Sequence, residues 1–278
     1  MQLGLIGYPI QHSRSPWIHQ AFMKQIKLDG KYQLFQIEPD QFDQGIRQLQ
    51  TLDLDGFNVT IPFKQRIIDY LDQIDHFAEA IGAVNTVVCE KGKWIGYNTD
   101  GLGYVLGIRS SYPDLFAGNK QVLLLGAGGA SRGIYYALLQ ENFDRIDIAN
   151  RTTARAQELL SINTSNLSSD VMTYQEAAQQ LNQYDLIINT TSVGMQPNLD
   201  KQVIALDGIK QNTVVSDIVY QPFWTALLKD AKQKGARVHH GHEMLLYQGK
   251  IAFEKWTGHR IDAEKIMPDF LNSILAET

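Results

Sequence analysis

Short apolar runs alternate with amphipathic stretches along most of the chain, a pattern of strands followed by covering helices. Leu3–Ile6 predicts a first strand. Pro16–Gln25 predicts a helix, with Ser15 as its N-cap and Pro16 at the first helical position. Tyr32–Ile37 and Gly56–Ile61 predict the next two strands, with helices over Gln41–Leu49 and Lys64–Asp72. Alternation along the third strand puts Phe57, Val59 and Ile61 on one face and Asn58 and Thr60 on the other, and Pro62 ends it. Ala83–Cys89 and Lys93–Tyr97, joined by Glu90-Lys91-Gly92, predict an antiparallel hairpin.

A helix over Leu102–Ser110 bridges to a second region, and the polar stretch Ser111–Lys120 is a loop. Four more strands are predicted at Gln121–Leu125, Arg145–Ala149, Leu186–Asn189 and Thr213–Ser216, with helices over Gly129–Glu141, Thr153–Leu160 and Tyr174–Leu181 between the first three. Asn163–Ser169 reads as a surface loop. Two helical runs, Glu243–Trp256 and Ala263–Thr278, follow. The fold class is α/β: an N-terminal α/β domain with a mixed sheet, then a Rossmann-type, doubly wound parallel sheet.

Length and composition change this picture little. The 278 residues suffice for about two domains. Net charge is −5, which supplies no basic field for nucleic acid or an anionic membrane. One cysteine, Cys89, excludes an internal disulfide framework and reads as a small buried hydrophobe. There is no apolar run of membrane-spanning length and no signal-like N-terminus, so the expected compartment is the cytoplasm.

The first chemical signal is Gly126-Ala-Gly-Gly-Ala-Ser131, between an apolar strand and a helix. In a dinucleotide-binding turn the first glycine makes the bend, the second admits the pyrophosphate and the third allows close helix packing. Gly126 and Gly128 fill the first two places and Ser131 stands at the third, after Gly129 and Ala130. The next strand ends in Asn150-Arg151-Thr152, with Arg155 one turn on, where an NAD site usually carries an acid. Guanidinium groups match a 2′-phosphate, so NADP is favoured over NAD. Asp147 lies inside the strand and is not given the ribose role. Thr190, Thr191, Ser192, Gly194 and Met195 follow the Leu186–Asn189 strand, at the end where ligands bind in such sheets.

The second signal is Asn58-Val-Thr-Ile-Pro-Phe-Lys64. Lys64 falls in the first turn of the predicted helix, where a cation is disfavoured and needs another partner. A hairpin centred near Lys91-Gly92 sets Asn85 opposite Asn98, with Asp100 a diagonal step away. Such a group of amides, hydroxyls, lysine and aspartate suits a small polyhydroxylated ligand, and a lysine–aspartate pair suits proton transfer. Ser13 and Ser15, bracketing Arg14, could bind a carboxylate. His239-His240-Gly241-His242-Glu243 fits no metal-ligand spacing, and no metal is expected. Trp94, Trp224 and Trp256 read as packing residues.

Together these motifs resemble the shikimate dehydrogenase family. The matching residues are Gly7-Tyr-Pro-Ile with His12-Ser-Arg-Ser-Pro16, Asn58 through Lys64, Gly82-Ala-Val-Asn-Thr86, Gly96-Tyr-Asn-Thr-Asp-Gly101 and Gly126-Ala-Gly-Gly-Ala130. Asn150-Arg-Thr152, Asp217-Ile-Val-Tyr220 with Pro222, and Gly241 through Met244-Leu-Leu-Tyr-Gln-Gly249 complete the set. The resemblance implies NADPH-dependent reduction of 3-dehydroshikimate to shikimate in aromatic amino-acid biosynthesis, by a monomer or homodimer. It implies Lys64 and Asp100 as the catalytic pair. Ser13, Ser15, Asn58, Thr60, Asn85, Tyr220 and Gln248 would hold substrate. Gly126, Ala127, Gly128, Gly129, Ala130, Asn150, Arg151, Thr152, Arg155, Thr190, Ile218 and Gly241 would meet the cofactor. The implied domains are residues 1–101 with 243–278 for substrate and 102–242 for NADP. The run of three histidines around Gly241 departs from the pattern, in which one or two are expected. A quinate or dual quinate/shikimate dehydrogenase is the near alternative, and a non-catalytic sensor of such acids is the alternative from another class.

Overall fold

A computed structural model describes residues 1–165 and 167–276, so parts of two expected segments, residue 166 in the loop and 277–278 in the last helical run, lie outside the described residues. The chain divides into two compact units, Met1–Thr99 with Gln248–Ile266, and Asp100–Tyr247 with Met267–Thr278.

The first unit runs β1 (Gln2–Gly7), α1 (Ser15–Gln25), β2 (Lys31–Gln36), α2 (Phe42–Leu49), β3 (Gly56–Val59), β4 (Gln73–Ile74), α3 (His76–Ile81), β5 (Thr86–Glu90) and β6 (Lys93–Tyr97). Its strands form one sheet in the order β2-β1-β3-β5-β6-β4. β1 pairs in parallel with β2 and β3, β3 and β5 are antiparallel, and β6 pairs antiparallel with β5 and parallel with β4. The mixed sheet follows from its connections: helices return the chain in parallel, whereas the hairpin reverses it. That hairpin turns on Lys91 and Gly92 at φ 53° and 75°, the left-handed pair a two-residue turn needs.

Phe57 and Val59 join a buried cluster with Ile6, Phe42, Ile46, Phe63 and Ile67. Ile61 does not: β3 stops at Val59, and Ile61 is 71% exposed. The helix expected over Lys64–Asp72 is instead a turn followed by a 3₁₀ segment, Arg66–Tyr70. The β-branched pair Ile67-Ile68 disfavours an α-helix, while Phe63 anchors the turn by stacking on Phe42 at 4.4 Å. Lys64 therefore does not sit in the first turn of an α-helix. Two short elements escaped the pattern. β4 has two residues, and α3 has six, capped by Asp75, whose Oδ1 accepts from the Ala78 N–H at 3.0 Å.

The second unit runs α4 (Asp100–Ser111), β7 (Gln121–Leu125), α5 (Gly129–Leu138), β8 (Arg145–Ala149), α6 (Thr153–Leu160), β9 (Val171–Met172), α7 (Tyr174–Ala178), β10 (Leu186–Asn189), β11 (Val214–Asp217), α8 (Ala226–Gln233), β12 (Arg237–His240), α9 (Gly241–Thr257) and α10 (Met267–Leu275). Residues of α9 from Gln248 onward belong to the first unit. The sheet is parallel throughout, in the order β12-β11-β10-β7-β8-β9, which is doubly wound with its switch point between β7 and β10. The residues of β10 and β11 are all buried, as strands covered on both faces should be. Edge strands β9 and β12 were not legible: one is two residues long and the other is Arg-Val-His-His. α10 belongs to the second unit, where Phe270 lies 6.4 Å from the His242 ring. Among the described residues no helix is long and apolar enough to cross a membrane.

Candidate active site

In the first unit, the loop after β1 brings Ser13 and Ser15 to the start of α1. The N-cap position is Arg14, and Ser15 is already helical. Ser13 Oγ accepts from the Ser15 N–H at 3.2 Å, so Ser13 satisfies the helix end and the Ser15 hydroxyl has no capping duty. A separate chain of hydrogen bonds in this unit starts at Tyr32.

The next links are buried. Tyr32 Oη donates to Asn58 Oδ1 at 2.7 Å, and Asn58 Nδ2 donates to the Asn85 carbonyl and to Thr86 Oγ1, each at 3.1 Å. Thr86 Oγ1 donates to Asn85 Oδ1 at 2.9 Å, and Asn85 Nδ2 donates to Thr99 Oγ1 at 2.9 Å. The hairpin register, Thr86 opposite Tyr97, sets Asn85 against Asn98 one step further on. The Thr99 N–H also donates to Asn85 Oδ1, at 2.8 Å. Thus Asn58 and Asn85 are joined directly and through Thr86, with Tyr32 at one end of the chain. Asn58 spends both amide hydrogens inside the unit and has one acceptor lone pair left.

Thr60 follows β3, its N–H donating to the Ile6 carbonyl at 2.9 Å, and its methyl lies where a Cβ on Gly7 would have to go. Lys64 is half-buried in the turn after Pro62, and its carbonyl accepts from the Val84 N–H at 2.8 Å. Gln248 is buried on α9. Asp100 opens α4 directly after Thr99, and Tyr220 follows β11; both belong to the second unit.

In the second unit the glycine turn joins β7 to α5. Gly126 has φ +112°, and a Cβ there would stand 2.8 Å from Thr190 Oγ1, so the fold itself requires glycine. Gly128 differs. Its φ is −94°, open to any residue, and an added Cβ would meet no described atom within 4 Å; at Gly129 it would likewise meet none. Internal packing does not demand glycine at either place, but close approach of a pyrophosphate would.

A relay stiffens the turn. The Gly128 N–H donates to Ser131 Oγ at 3.0 Å, Ser131 and Thr190 hydroxyls lie 2.6 Å apart, and Thr190 Oγ1 donates to the Leu125 carbonyl at 2.8 Å. Because the Thr190 proton goes to Leu125, Ser131 is the donor between the hydroxyls. Ser131, at the third-glycine place, thereby ties the turn to the end of β10.

At the end of β8, Arg151, Thr152 and Arg155 are exposed, and Asn150 Nδ2 braces the bend by donating to the Thr152 carbonyl at 2.8 Å. Asp147 is buried and accepts from Arg145, Tyr184 and the Asp170 N–H, so it is consumed by the fold. At the ends of β10 and β11, Asp217 accepts from Asn189 at 2.9 Å and from Thr225 at 2.7 Å, and burial pushes its pKa up to about 6. Gly241 is required because a Cβ would run into the Ile218 carbonyl.

Family models match in three successive segments: "Shikimate dehydrogenase substrate binding domain" over residues 5–87, "Shikimate / quinate 5-dehydrogenase" over 114–219, and "Shikimate 5'-dehydrogenase C-terminal domain" over 241–267. The shikimate dehydrogenase (NADP(+)) of Oceanobacillus iheyensis is 50% identical over 264 residues, 94% of each chain. The chain belongs to the shikimate dehydrogenase family. A shikimate dehydrogenase solved in complex with NADP+ has 37% identity and a TM-score of 0.88, over 98% of this chain and 95% of that one. Quinate dehydrogenase from Corynebacterium glutamicum in complex with NAD has 27% identity and a TM-score of 0.89, over 98% and 99%.

The three histidines that depart from the shikimate dehydrogenase pattern are taken up by packing in the second unit. His239 Nδ1 lies 2.9 Å from Ser216 Oγ, and its Nε2 lies 3.5 Å from Glu243 Oε2. His240 stacks on Phe223 at 4.0 Å, and its Nδ1 lies 2.9 Å from the Phe223 carbonyl. His242 is buried beside Phe223 and Phe270, which lowers its pKa to about 4. Among the described residues, no three or more His, Cys, Asp or Glu side chains are grouped to hold a metal ion. Sequence reasoning missed Tyr32, Thr86 and the relay through Ser131, because each acts through partners distant along the chain.

Proposed function

We propose that the chain catalyses the reversible NADPH-dependent reduction of 3-dehydroshikimate to shikimate, on the route to chorismate and the aromatic amino acids. The carrying observation is the pair of glycines, Gly128 and Gly129, left open by the fold, in a chain half identical to an NADP(+)-dependent shikimate dehydrogenase. The turn Gly126-Ala127-Gly128-Gly129-Ala130, with the start of α5, would hold the pyrophosphate. Asn150, Arg151, Thr152 and Arg155 would hold the 2′-phosphate, and Thr190, Ile218 and Gly241 the nicotinamide end. NADPH, when bound, supplies the hydride.

Lys64 is the proposed acid. An ordinary lysine ammonium carries its proton at neutral pH, and it donates that proton to the substrate carbonyl oxygen as charge develops there; in the reverse direction the amine takes the hydroxyl proton. Asp100 is its proposed partner in this transfer. Ser13 and Ser15 would bind the carboxylate, and Thr60, Asn85, Tyr220 and Gln248 the ring hydroxyls, with Asn58 offering its one remaining acceptor. The enzyme would act as a monomer or homodimer in the cytoplasm, with neither nucleic acid nor membrane as partner. Following nicotinamide reduction with shikimate plus NADP and with quinate plus NAD tests the assignment. Turnover with the first pair is expected. Turnover with quinate and NAD alone would make it a quinate dehydrogenase, and binding without turnover of either would make it a sensor.

A further inference from the structure

Asp217 belongs to a motif, Asp217-Ile-Val-Tyr220, but has no place among the groups proposed to touch a ligand. It ends β11 and is fully buried within the second unit. Three donors converge on its carboxylate. Asn189 Nδ2 reaches Oδ1 at 2.9 Å, the Val219 N–H reaches Oδ1 at 3.0 Å, and Thr225 Oγ1 reaches Oδ2 at 2.7 Å. Two of these donors are themselves fixed. Asn189 Oδ1 accepts from the Thr191 N–H at 3.0 Å and from Thr191 Oγ1 at 2.7 Å, which orients the amide with Nδ2 toward Asp217. Thr225 is the N-cap of α8, and its Oγ1 accepts from the Leu228 N–H at 3.3 Å, which leaves the hydroxyl proton for Asp217. The end of β10 and the start of α8 therefore hold the carboxylate by both oxygens, independently of Val219.

The third donor is the one the carboxylate controls. The Ile218–Val219 peptide is trans, so its N–H and its C=O point in opposite directions. With the N–H bound to Asp217, the Ile218 carbonyl turns the other way, to the place where a Cβ on Gly241 would stand. Among the described residues, the bond to Asp217 is the one hydrogen bond on this peptide, and no backbone N–H donates to the Ile218 carbonyl. Ile218 is only half-buried, so that carbonyl is an acceptor left to a ligand at the edge of the sheet.

We propose that Asp217 is a positioning residue for the nicotinamide end of the cofactor: by holding the Val219 N–H it fixes the Ile218 carbonyl beside Gly241. This rests on the reading of this sheet edge as the NADP site. Removing the carboxylate frees the Ile218–Val219 peptide to rotate, while the glycine turn and the arginines after β8 keep their own hydrogen bonds.

The test is calorimetric titration of Asp217→Ala with NADP+ and with 2′-phospho-ADP-ribose, which is NADP+ without its nicotinamide. Loss of a hydrogen bond to a charged group corresponds to about a 10- to 100-fold change in affinity, and we expect NADP+ to weaken by that factor. Binding of the fragment should stay within about 2-fold, because its contacts are independent of Asp217. Asp217→Asn keeps one oxygen for Val219 and Asn189 and offers its amide N–H to Thr225 Oγ1, so it should restore NADP+ binding. Asp217→Cys, a small side chain whose sulfur accepts only weakly, carries the same test should the alanine variant not fold. Equal weakening of the two ligands, unchanged NADP+ affinity in the alanine or cysteine variant, or an asparagine variant as weak as alanine overturns the inference. Failure of the unaltered chain to bind NADP+ overturns both the inference and the site it rests on. An unaltered chain that binds NADP+ but does not oxidise shikimate overturns the reaction alone.

Discussion

Gly126 and Gly128 are two residues apart, yet replacing each with alanine should have opposite consequences. At Gly128 the backbone suits any residue, and the added methyl meets no described atom within 4 Å. Alanine is a poorer N-cap than glycine by about 0.5–1 kcal/mol. It also restricts the unfolded chain, which stabilises by about 0.4–1 kcal/mol. The two offset, so ligand-free Gly128→Ala should unfold within about 2 °C of the unaltered protein. At Gly126, φ +112° and a methyl 2.8 Å from both Thr190 Oγ1 and Thr191 Cγ2 add strain to overpacking. Strain costs about 1–3 kcal/mol and overpacking about 1–3 kcal/mol. Gly126→Ala should therefore lower the unfolding temperature by roughly 5–15 °C.

Cofactor affinity should discriminate in the other direction. A methyl on Gly128 fills space proposed for the pyrophosphate, and overpacking of about 1–3 kcal/mol corresponds to about a 5- to 150-fold weakening. KM for NADP+ should rise accordingly in Gly128→Ala, with KM for shikimate unchanged. The assays are calorimetric unfolding without ligand and steady-state kinetics against each substrate. A Gly128→Ala variant that keeps its KM for NADP+, or unfolds as early as Gly126→Ala, refutes the reasoning that this glycine serves the ligand and not the fold.

Three further outcomes are expected. Lys64→Ala should reduce kcat by about 10²–10⁴-fold with little change in KM, and an unchanged kcat in steady-state assays would remove it from the chemistry. Arg151→Ala, an exposed site, should weaken NADP+ by about 10- to 100-fold, the scale of a charge-assisted hydrogen bond, and hardly affect NAD+; equal losses in the two KM values would exclude a 2′-phosphate role. Burial lowers the His19 pKa from 6.5 to about 3, so the folded protein excludes a proton that the unfolded chain binds. Stability from this source is full above pH 6.5 and is lost as pH falls toward 3, on the order of 5 kcal/mol in all. His19→Phe keeps a ring against Tyr32 and should flatten that acid limb in denaturant titrations; an equally steep limb in the variant would falsify the assignment.

Much of the fold was legible because burial writes itself into composition. The strands β7 and β10 are apolar runs covered on both faces, and β8 sets apolar Ile146 and Ile148 around Asp147; the bounds of all three are legible in the sequence. The hairpin was legible for a different reason: Lys91-Gly92 permits the turn geometry that a two-residue connection demands. Elements without a buried stripe were not. β4 and β9 have two residues each, too few for a period, and β12 is a half-exposed edge strand. The segment after Lys64 shows a further limit. Phe63 and Ile67 carry a helical spacing, but it is satisfied by one turn and a 3₁₀ segment because the anchoring contact, Phe42, comes from another element.

The site was legible as a set of residue types but not as an arrangement of donors and acceptors. Asn58 and Thr60 look equivalent in sequence, two polar positions on one face of a strand. In the structure β3 ends between them: Asn58 is locked among Tyr32, Asn85 and Thr86, while Thr60 lies past the last strand residue. Ser13 and Ser15 look equally alike, yet Ser13 Oγ receives the helix-end N–H while the Ser15 hydroxyl has no capping duty. In each pair, the deciding partner comes from an element that local spacing does not report. A strand pattern can nominate a polar residue for a ligand, but the residue is available only to the extent that its hydrogen-bonding capacity is not already used. By that criterion Asn58 contributes less to substrate directly than its place in the motif suggests.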